Sequence, residues 1–115
     1  MTLEEVIRSE LASIAPAHPL VMPPDAVLPC VVYQLVSAPE SQMSKKVRSR
    51  LQLMCWATSY ASAVALAGQV RDLFYQRHTT VSGLHYRSQI DNTYDGQPDL
   101  DTGRYGRGVD VLFYL

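Results

Sequence analysis

An alternation of apolar and polar side chains over residues 47–57 constrains the fold more than any other feature of the sequence. The apolar positions are Val47, Leu51, Leu53, Cys55 and Ala57. The alternate positions carry Lys46, Arg48, Arg50, Gln52 and Met54. Because successive side chains of a strand point to opposite faces, this segment is predicted to be a β-strand with one face in the core. Its other face meets solvent or a partner.

Two amphipathic helices are predicted beside this strand. Residues 2–14 place apolar side chains at three- and four-residue steps, and Thr2 with Glu5 forms a T-x-x-E capping box. After the strand, Ser59 is a candidate N-cap for the second helix. The apolar stripe of that helix consists of Ala63, Leu66, Ala67, Val70, Leu73 and Phe74. Trp56, just before the second helix, is expected to pack across the strand-to-helix junction.

Three further strands are predicted from β-branched or alternating runs at residues 30–36, 84–94 and 105–115. In the second of these runs, one face is predicted to carry Leu84, Tyr86, Ser88, Ile90, Asn92 and Tyr94. The prolines within residues 16–29 predict an extended connection that forms no ladder, and residues 79–83 are predicted to turn. The element order is therefore α-β-β-α-β-β.

These elements predict an α+β fold, a two-layer sandwich of about four mostly antiparallel strands with two helices packed on one face. With 115 residues, the chain is expected to form a single domain over residues 1–115, because a second hydrophobic core becomes common only in longer chains. Residues 37–46 lack periodicity and are expected to form a mobile loop, with Met43 as its apolar anchor.

Charge and cysteine content exclude several classes of protein. The chain has ten Lys and Arg residues and 11 Asp and Glu residues, which give a formal net charge of -1. Overall charge therefore does not drive binding to nucleic acid or membranes. The first residues lack the pattern of a signal peptide, and no apolar run reaches the ~20 residues of a membrane span, which predicts synthesis in the cytoplasm. Cys30 and Cys55 are too few and too isolated for a disulfide scaffold or a zinc site and are expected as free core thiols.

No residue pattern predicts catalysis, a cofactor or a metal ion. His18, His78 and His85 are far apart and show no HxxxH or HExxH spacing. The sequence TGRYGRG at residues 102–108 opens a predicted strand, whereas a phosphate-binding glycine loop opens a helix. We therefore expect a protein that is not an enzyme.

Charged residues fall into two opposed patches. The basic patch consists of Lys45, Lys46, Arg48 and Arg50, and the acidic patch of Asp91, Asp95, Asp99 and Asp101. Two interpretations are open: both patches are simply solvated, or the basic patch of one copy meets the acidic patch of the next. Under the second interpretation, the expected subunit or partner interface comprises Met43, Lys45, Lys46, Arg48, Arg50, Asp95, Asp99 and Asp101.

Three sequence segments together resemble the tail-completion or tail-terminator proteins of long-tailed bacteriophages, a family that also occurs in prophages and gene transfer agents. The family's PYVVYQ strand is matched by Pro29, Val31, Val32, Tyr33 and Gln34, with Cys30 at an aromatic position. Its W-A-x-S/T-Y-x-x-A junction is matched by Trp56, Ala57, Ser59, Tyr60 and Ala63. Its D-x-x-T-G-x-Y turn is matched by Asp99, Thr102, Gly103 and Tyr105. The resemblance covers nearly the whole chain.

The resemblance implies a structural protein of the virion tail or neck. Its copies would form a ring, with six subunits, at the head-proximal end of the tail tube. That ring would end tube growth and contact both the tail tube protein and the head-tail connector protein. DNA would pass through it without specific binding, and no membrane or cofactor is implied. A ring of this kind acts through interface complementarity and needs no bond chemistry.

Three alternatives remain open. A head-closure or connector-layer protein of the same neck has a similar size and class. A small nucleic-acid-binding module could use residues 45–50, although that patch lacks interleaved aromatic side chains for base stacking. A small α+β enzyme would need a pocket with convergent titratable groups.

Overall fold

The computed structural model describes residues 2–37 and 48–115. In these residues the elements, in chain order, are α1 (Leu3–Leu11), β1 (Ala17–Pro19), β2 (Cys30–Ser37), β3 (Arg48–Ala57), α2 (Tyr60–Phe74), β4 (His78–Val81), β5 (Leu84–Asp95) and β6 (Tyr105–Tyr114). The mobile loop expected near residues 37–46 lies, from residue 38 onward, outside the described residues, as do Met43, Lys45 and Lys46.

The strands form one mixed sheet in the order β1-β2-β3-β6-β5-β4. The pair β1 and β2 is parallel, and the remaining neighbours are antiparallel. The sheet curls into a half-barrel. The fold is α+β as predicted, but the two-layer sandwich of about four strands is wrong, because the described residues form six strands in a curled sheet.

The two additional strands arise from segments predicted to be irregular. The prolines did not prevent β1, because an edge strand pairs along one side only and can tolerate a missing N–H. The residues that flank β1 add two backbone hydrogen bonds to its pairing with β2. The Val31 N–H donates to the Pro16 carbonyl at 2.9 Å, and the Leu20 N–H donates to the Tyr33 carbonyl at 2.9 Å. The predicted turn at residues 79–83 is confined to Ser82 and Gly83, whose φ angles of 50° and 81° suit a two-residue hairpin between β4 and β5.

The core lies between the helices and one face of the sheet. The alternation predicted for β3 is confirmed, since Leu51, Leu53, Cys55 and Ala57 are buried. Both helices contribute to the same core cluster as these strand residues. Residues of that cluster without exposed surface include Val6, Ile7, Leu11, Val70, Phe74, Tyr86, Val109, Val111 and Phe113. Phe113 packs edge-to-face against Phe74 and Tyr86, with ring centroids 5.3 and 5.5 Å apart.

Both predicted helix caps are present. Thr2 Oγ1 accepts the Glu5 N–H at 3.3 Å, and Ser59 Oγ accepts the Ser62 N–H at 3.2 Å. The first helix ends at Leu11, three residues earlier than the periodicity suggests. At the end of α2, the buried Ser88 hydroxyl donates to the Phe74 carbonyl at 2.8 Å, so strand β5 satisfies one of the helix's terminal acceptors.

A β-bulge at Asp91 changes the faces of β5. Ile90 pairs with the core residue Val111, whereas Asn92 pairs with Asp110 on the opposite face. A bulge adds one residue to one strand, so the alternation shifts beyond it. The predicted shared face of residues 84–94 is therefore wrong for Asn92 and Tyr94, which lie on the outer face of the sheet, away from the helices.

Candidate assembly surfaces at the two ends of the sheet

The strand register separates most of the two charged patches between opposite ends of the sheet, but Asp91 of the acidic patch lies beside Arg50 of the basic patch. At one end, Arg48 pairs with Tyr114 and Arg50 with Leu112. At the other end, Asp95 pairs with Arg107. Along β6, Arg107 and Leu112 are five positions apart, and the turn carrying Asp99 and Asp101 extends beyond that span. A strand rises about 3.4 Å per residue, so at least about 17 Å separates the two ends. Within one copy, Arg48 therefore cannot reach Asp95, Asp99 or Asp101.

The basic end is defined here as Arg48, Arg50 and Arg87. Arg48 is exposed. Arg50 Nη2 lies 2.9 Å from Asp91 Oδ2 within the same copy. The guanidinium of Arg87 lies over the Tyr114 ring at 5.4 Å from its centroid.

The sequence analysis missed Arg87, because its place beside Arg48 depends on strand pairing across β6. Arg48, Tyr114, Arg87 and His78 form one cross-strand row on the outer face. His78 Nε2 lies 2.8 Å from His85 Nε2, and His85 Nδ1 lies 2.9 Å from Thr80 Oγ1. These side chains give the basic end a polar, hydrogen-bonded margin.

The acidic end is defined here as Asp95, Asp99 and Asp101. All three aspartates are exposed. The carboxylate of Asp99 accepts the Thr102 N–H at 3.4 Å, and hydrogen bonding with Thr102 holds the pKa of Asp99 below its usual value. Its backbone is bridged to Arg104 in both directions, at 2.9 and 3.0 Å.

Two arginines that the sequence analysis left out of the acidic patch stand among these aspartates. Arg107 Nη1 lies 3.0 Å from Asp95 Oδ1, and Arg104 belongs to the turn bridged to Asp99. The three carboxylates and two guanidiniums leave this end with a formal charge of only one negative unit. Both arginines come from the TGRYGRG sequence, so the omission could have been avoided.

Aromatic rings on the outer face explain two glycines of that sequence. A Cβ on Gly106 would stand 2.9 Å from Trp56 Cζ3, and a Cβ on Gly108 would overlap the Tyr94 ring. Trp56 is half-buried, and its ring lies over Gly106. Its packing across the strand-to-helix junction stays a prediction. The third glycine, Gly103, adopts φ 67° in the turn before β6. These glycines therefore accommodate rings and a turn.

Tyr94 connects three strands on the outer face. Its hydroxyl accepts from the Gln52 amide on β3 and donates to Asp110 Oδ1 on β6 at 3.1 Å. Burial raises the pKa of Tyr94, and the negative charge of Asp110 acts in the same direction, whereas the Gln52 hydrogen bond opposes them. The central outer face is thus a half-buried polar network.

Both cysteines are free and buried, as expected. Burial raises the pKa of Cys55 to about 12, and burial also raises the pKa of Cys30. The Cys30 thiol lies 3.5 Å from Met22 Sδ, which covers it from the connection between β1 and β2. Such thiols stay protonated near neutral pH and are poor nucleophiles.

Within residues 2–37 and 48–115, no three His, Cys, Asp or Glu side chains cluster closely enough to hold a metal ion. Neither described helix has the length and apolar character required to cross a bilayer.

Comparison with known proteins gives a shared fold. No protein-family model matches the sequence, and no curated protein matches it. A chain from a solved structure, the virion of a native gene transfer agent particle, superimposes with a TM-score of 0.61. The alignment covers 95% of this chain and 83% of that chain, at 9% sequence identity. At this identity the likeness establishes the fold alone. It supports the tail-terminator resemblance only to the extent that a chain of a virion has the same fold.

Proposed function

We propose that this chain is a structural protein of a phage-like virion. Its copies form a ring, with six subunits, at the head-proximal end of the tail tube, where the ring ends tube growth and joins tail to head. The observation that carries the proposal is the fold shared with a gene transfer agent virion chain over 95% of this chain. The three sequence segments that resemble tail terminators point in the same direction.

The arrangement of charge supports a ring on physical grounds. A ring requires heterologous contacts, in which one surface of a copy binds a different surface of the next copy. The basic end and the acidic end are different surfaces of opposite formal sign, and strand geometry holds them apart on one copy. Head-to-tail contact between copies would bring Arg48 to the acidic end of the next copy. A closing rotation between successive copies would then give a ring.

The proposal is tested by reversing charge at one end and then at both. Arg48→Glu with Arg50→Glu should abolish rings in light scattering and electron microscopy, because like charges opposed across an interface cost several kcal/mol. Adding Asp99→Lys and Asp101→Lys should restore rings at least in part. In the first variant, Arg50→Glu also places a second negative charge beside Asp91 and lowers the stability of the single copy. Circular dichroism must therefore confirm that this variant folds.

A matched control reverses two exposed arginines on the helices. Arg8→Glu with Arg71→Glu changes the net charge by the same amount but leaves both ends of the sheet intact, so rings should persist. Rings that survive reversal at the basic end would remove the charge contact from the proposal. Gold labelling of assembled particles locates the chain: a label at the tube end supports a terminator, and a label on the head side indicates a head-closure or connector protein.

A further inference from the structure

A small cavity at the acidic end combines aromatic side chains with the carboxylate of Asp95. Its volume is about 260 Å³. It is lined by Tyr60, Asp95, Pro98 and Tyr105 together with two glycines. A water takes about 30 Å³ in the liquid, so the cavity has room for a side chain of about seven to nine non-hydrogen atoms.

The Asp95 carboxylate is held in place and can accept a further hydrogen bond. The Tyr60 hydroxyl donates to Asp95, at 3.2 Å from Oδ1 and 3.0 Å from Oδ2. Arg107 approaches Oδ1 at 3.0 Å. Among the described residues, Oδ2 is bound only by the tyrosine hydroxyl. A carboxylate can accept about four hydrogen bonds, so Asp95 can receive another cationic donor.

The aromatic rings of Tyr60 and Tyr105 beside the Asp95 carboxylate suit a long cationic side chain. The apolar stem of an arginine covers ring and proline surface, and its planar guanidinium stacks on a tyrosine face while donating to a carboxylate. An anionic side chain would be repelled by Asp95. A purely apolar side chain would remove water from Asp95 without replacing its hydrogen bonds.

Arg48 is the available arginine at the other end of the sheet. It is exposed at the first position of β3, and within residues 2–37 and 48–115 no carboxylate lies within ion-pair distance of it. Arg50 is held by Asp91, and Arg87 lies over Tyr114. We propose that the cavity between Tyr60 and Tyr105 receives Arg48 of the neighbouring copy. The inference rests on the proposed ring, since only a second copy can bring Arg48 to this cavity.

A double-mutant cycle tests the pairing. Arg48→Met keeps the apolar stem of the side chain and removes its charged guanidinium, and Tyr60→Ala removes one aromatic ring of the cavity at a half-exposed helix start. Each change should weaken association by about tenfold, measured by sedimentation equilibrium, and the two together should weaken it little more than either alone. Arg8→Met is the matched control, because Arg8 is exposed on α1 outside both ends of the sheet, and it should change association less than about twofold.

Disulfide trapping gives a direct readout. Arg48→Cys combined with Pro98→Cys should yield covalent oligomers up to the size of the ring, and Arg87→Cys combined with Pro98→Cys should not. Native Cys30 and Cys55 are buried and do not interfere. Additive effects in the cycle, or equal trapping by both cysteine pairs in intact rings, refute this cavity as the site of Arg48 while the ring stands. A wild-type protein that never assembles, even with tail tubes, refutes the proposed function itself.

Discussion

Gly108→Ala should destabilise the protein, although replacing a strand glycine by alanine ordinarily helps. Alanine in a strand gains about 0.5–1 kcal/mol over glycine from backbone entropy. At position 108, however, the added methyl group would overlap Tyr94 Cζ and Cε2 and stand 2.8 Å from its hydroxyl oxygen. The ring must move, and with it the hydrogen bonds to Gln52 and Asp110.

The expected magnitude follows from these competing effects. Overpacking costs about 1–3 kcal/mol, and the two hydrogen bonds contribute about 0.5–1.5 kcal/mol each. Part of both costs is relieved because Tyr94 is half-buried and can tilt toward solvent. After the backbone gain, we expect a net loss of about 1–2 kcal/mol. With a urea m-value of about 2 kcal/mol/M, the unfolding midpoint should fall by about 0.5–1 M.

Urea unfolding followed by the fluorescence of Trp56, the single tryptophan, measures this loss. In a Tyr94→Ala background, Gly108→Ala should cost nothing or stabilise, because the overlapping ring is absent. Gly68→Ala is the control, since nothing stands within 4 Å of its added Cβ in α2, and it should stabilise by about 1 kcal/mol. A Gly108→Ala variant as stable as wild type, or one that loses as much stability without the Tyr94 ring, would show that the clash with Tyr94 is not the cause.

Three further predictions concern stability. The pKa of Cys55 is raised to about 12 from an ordinary 9.0. The stability that this contributes is complete below pH 9 and is lost as the pH rises toward 12. From pH 9 to 10.5 the unfolding free energy of wild type should therefore fall about 2 kcal/mol more than that of Cys55→Ala. Arg77→Met should lower stability by about 1–3 kcal/mol in thermal melts, because the buried Tyr86 hydroxyl loses its donor at 3.2 Å; an unchanged melt would show that water replaces the guanidinium. Trp56→Ala should cost about 2 kcal/mol in chemical unfolding, roughly half the value for a fully buried tryptophan, and a cost above about 4 kcal/mol would mean that the ring is more deeply packed.

The sequence predicted those parts of the fold whose periodicity is long and regular. The alternation of β3 and the apolar stripes of both helices follow directly from burial, which imposes its period on the side chains. Strands β1 and β4 were missed because three or four residues carry too little periodicity, and the prolines beside β1 suggested coil. The bulge at Asp91 left no sign in the pattern, because the polar residues that follow it are compatible with either face.

The candidate surfaces were predictable only in part. The runs that contain Arg48 and Asp99 are visible in the sequence because each patch is local. The contribution of Arg87 depends on strand pairing across β6, and the partial neutralisation of Asp95 depends on the position of Arg107. The cavity beside Tyr60 combines α2 with the start of β6, two elements whose contact no local pattern reveals.

The edges of the sheet discourage the addition of strands from other copies. One edge is the three-residue β1, bounded by Pro16 and Pro19, and the other is the four-residue β4. Beyond β4, strand β5 carries the bulge at Asp91. Short edges, prolines, bulges and charges are features that discourage a foreign strand from adding to a sheet. These edges therefore oppose growth of the sheet into fibres by strand addition, and they leave the proposed ring contacts to the side chains at the ends of the sheet.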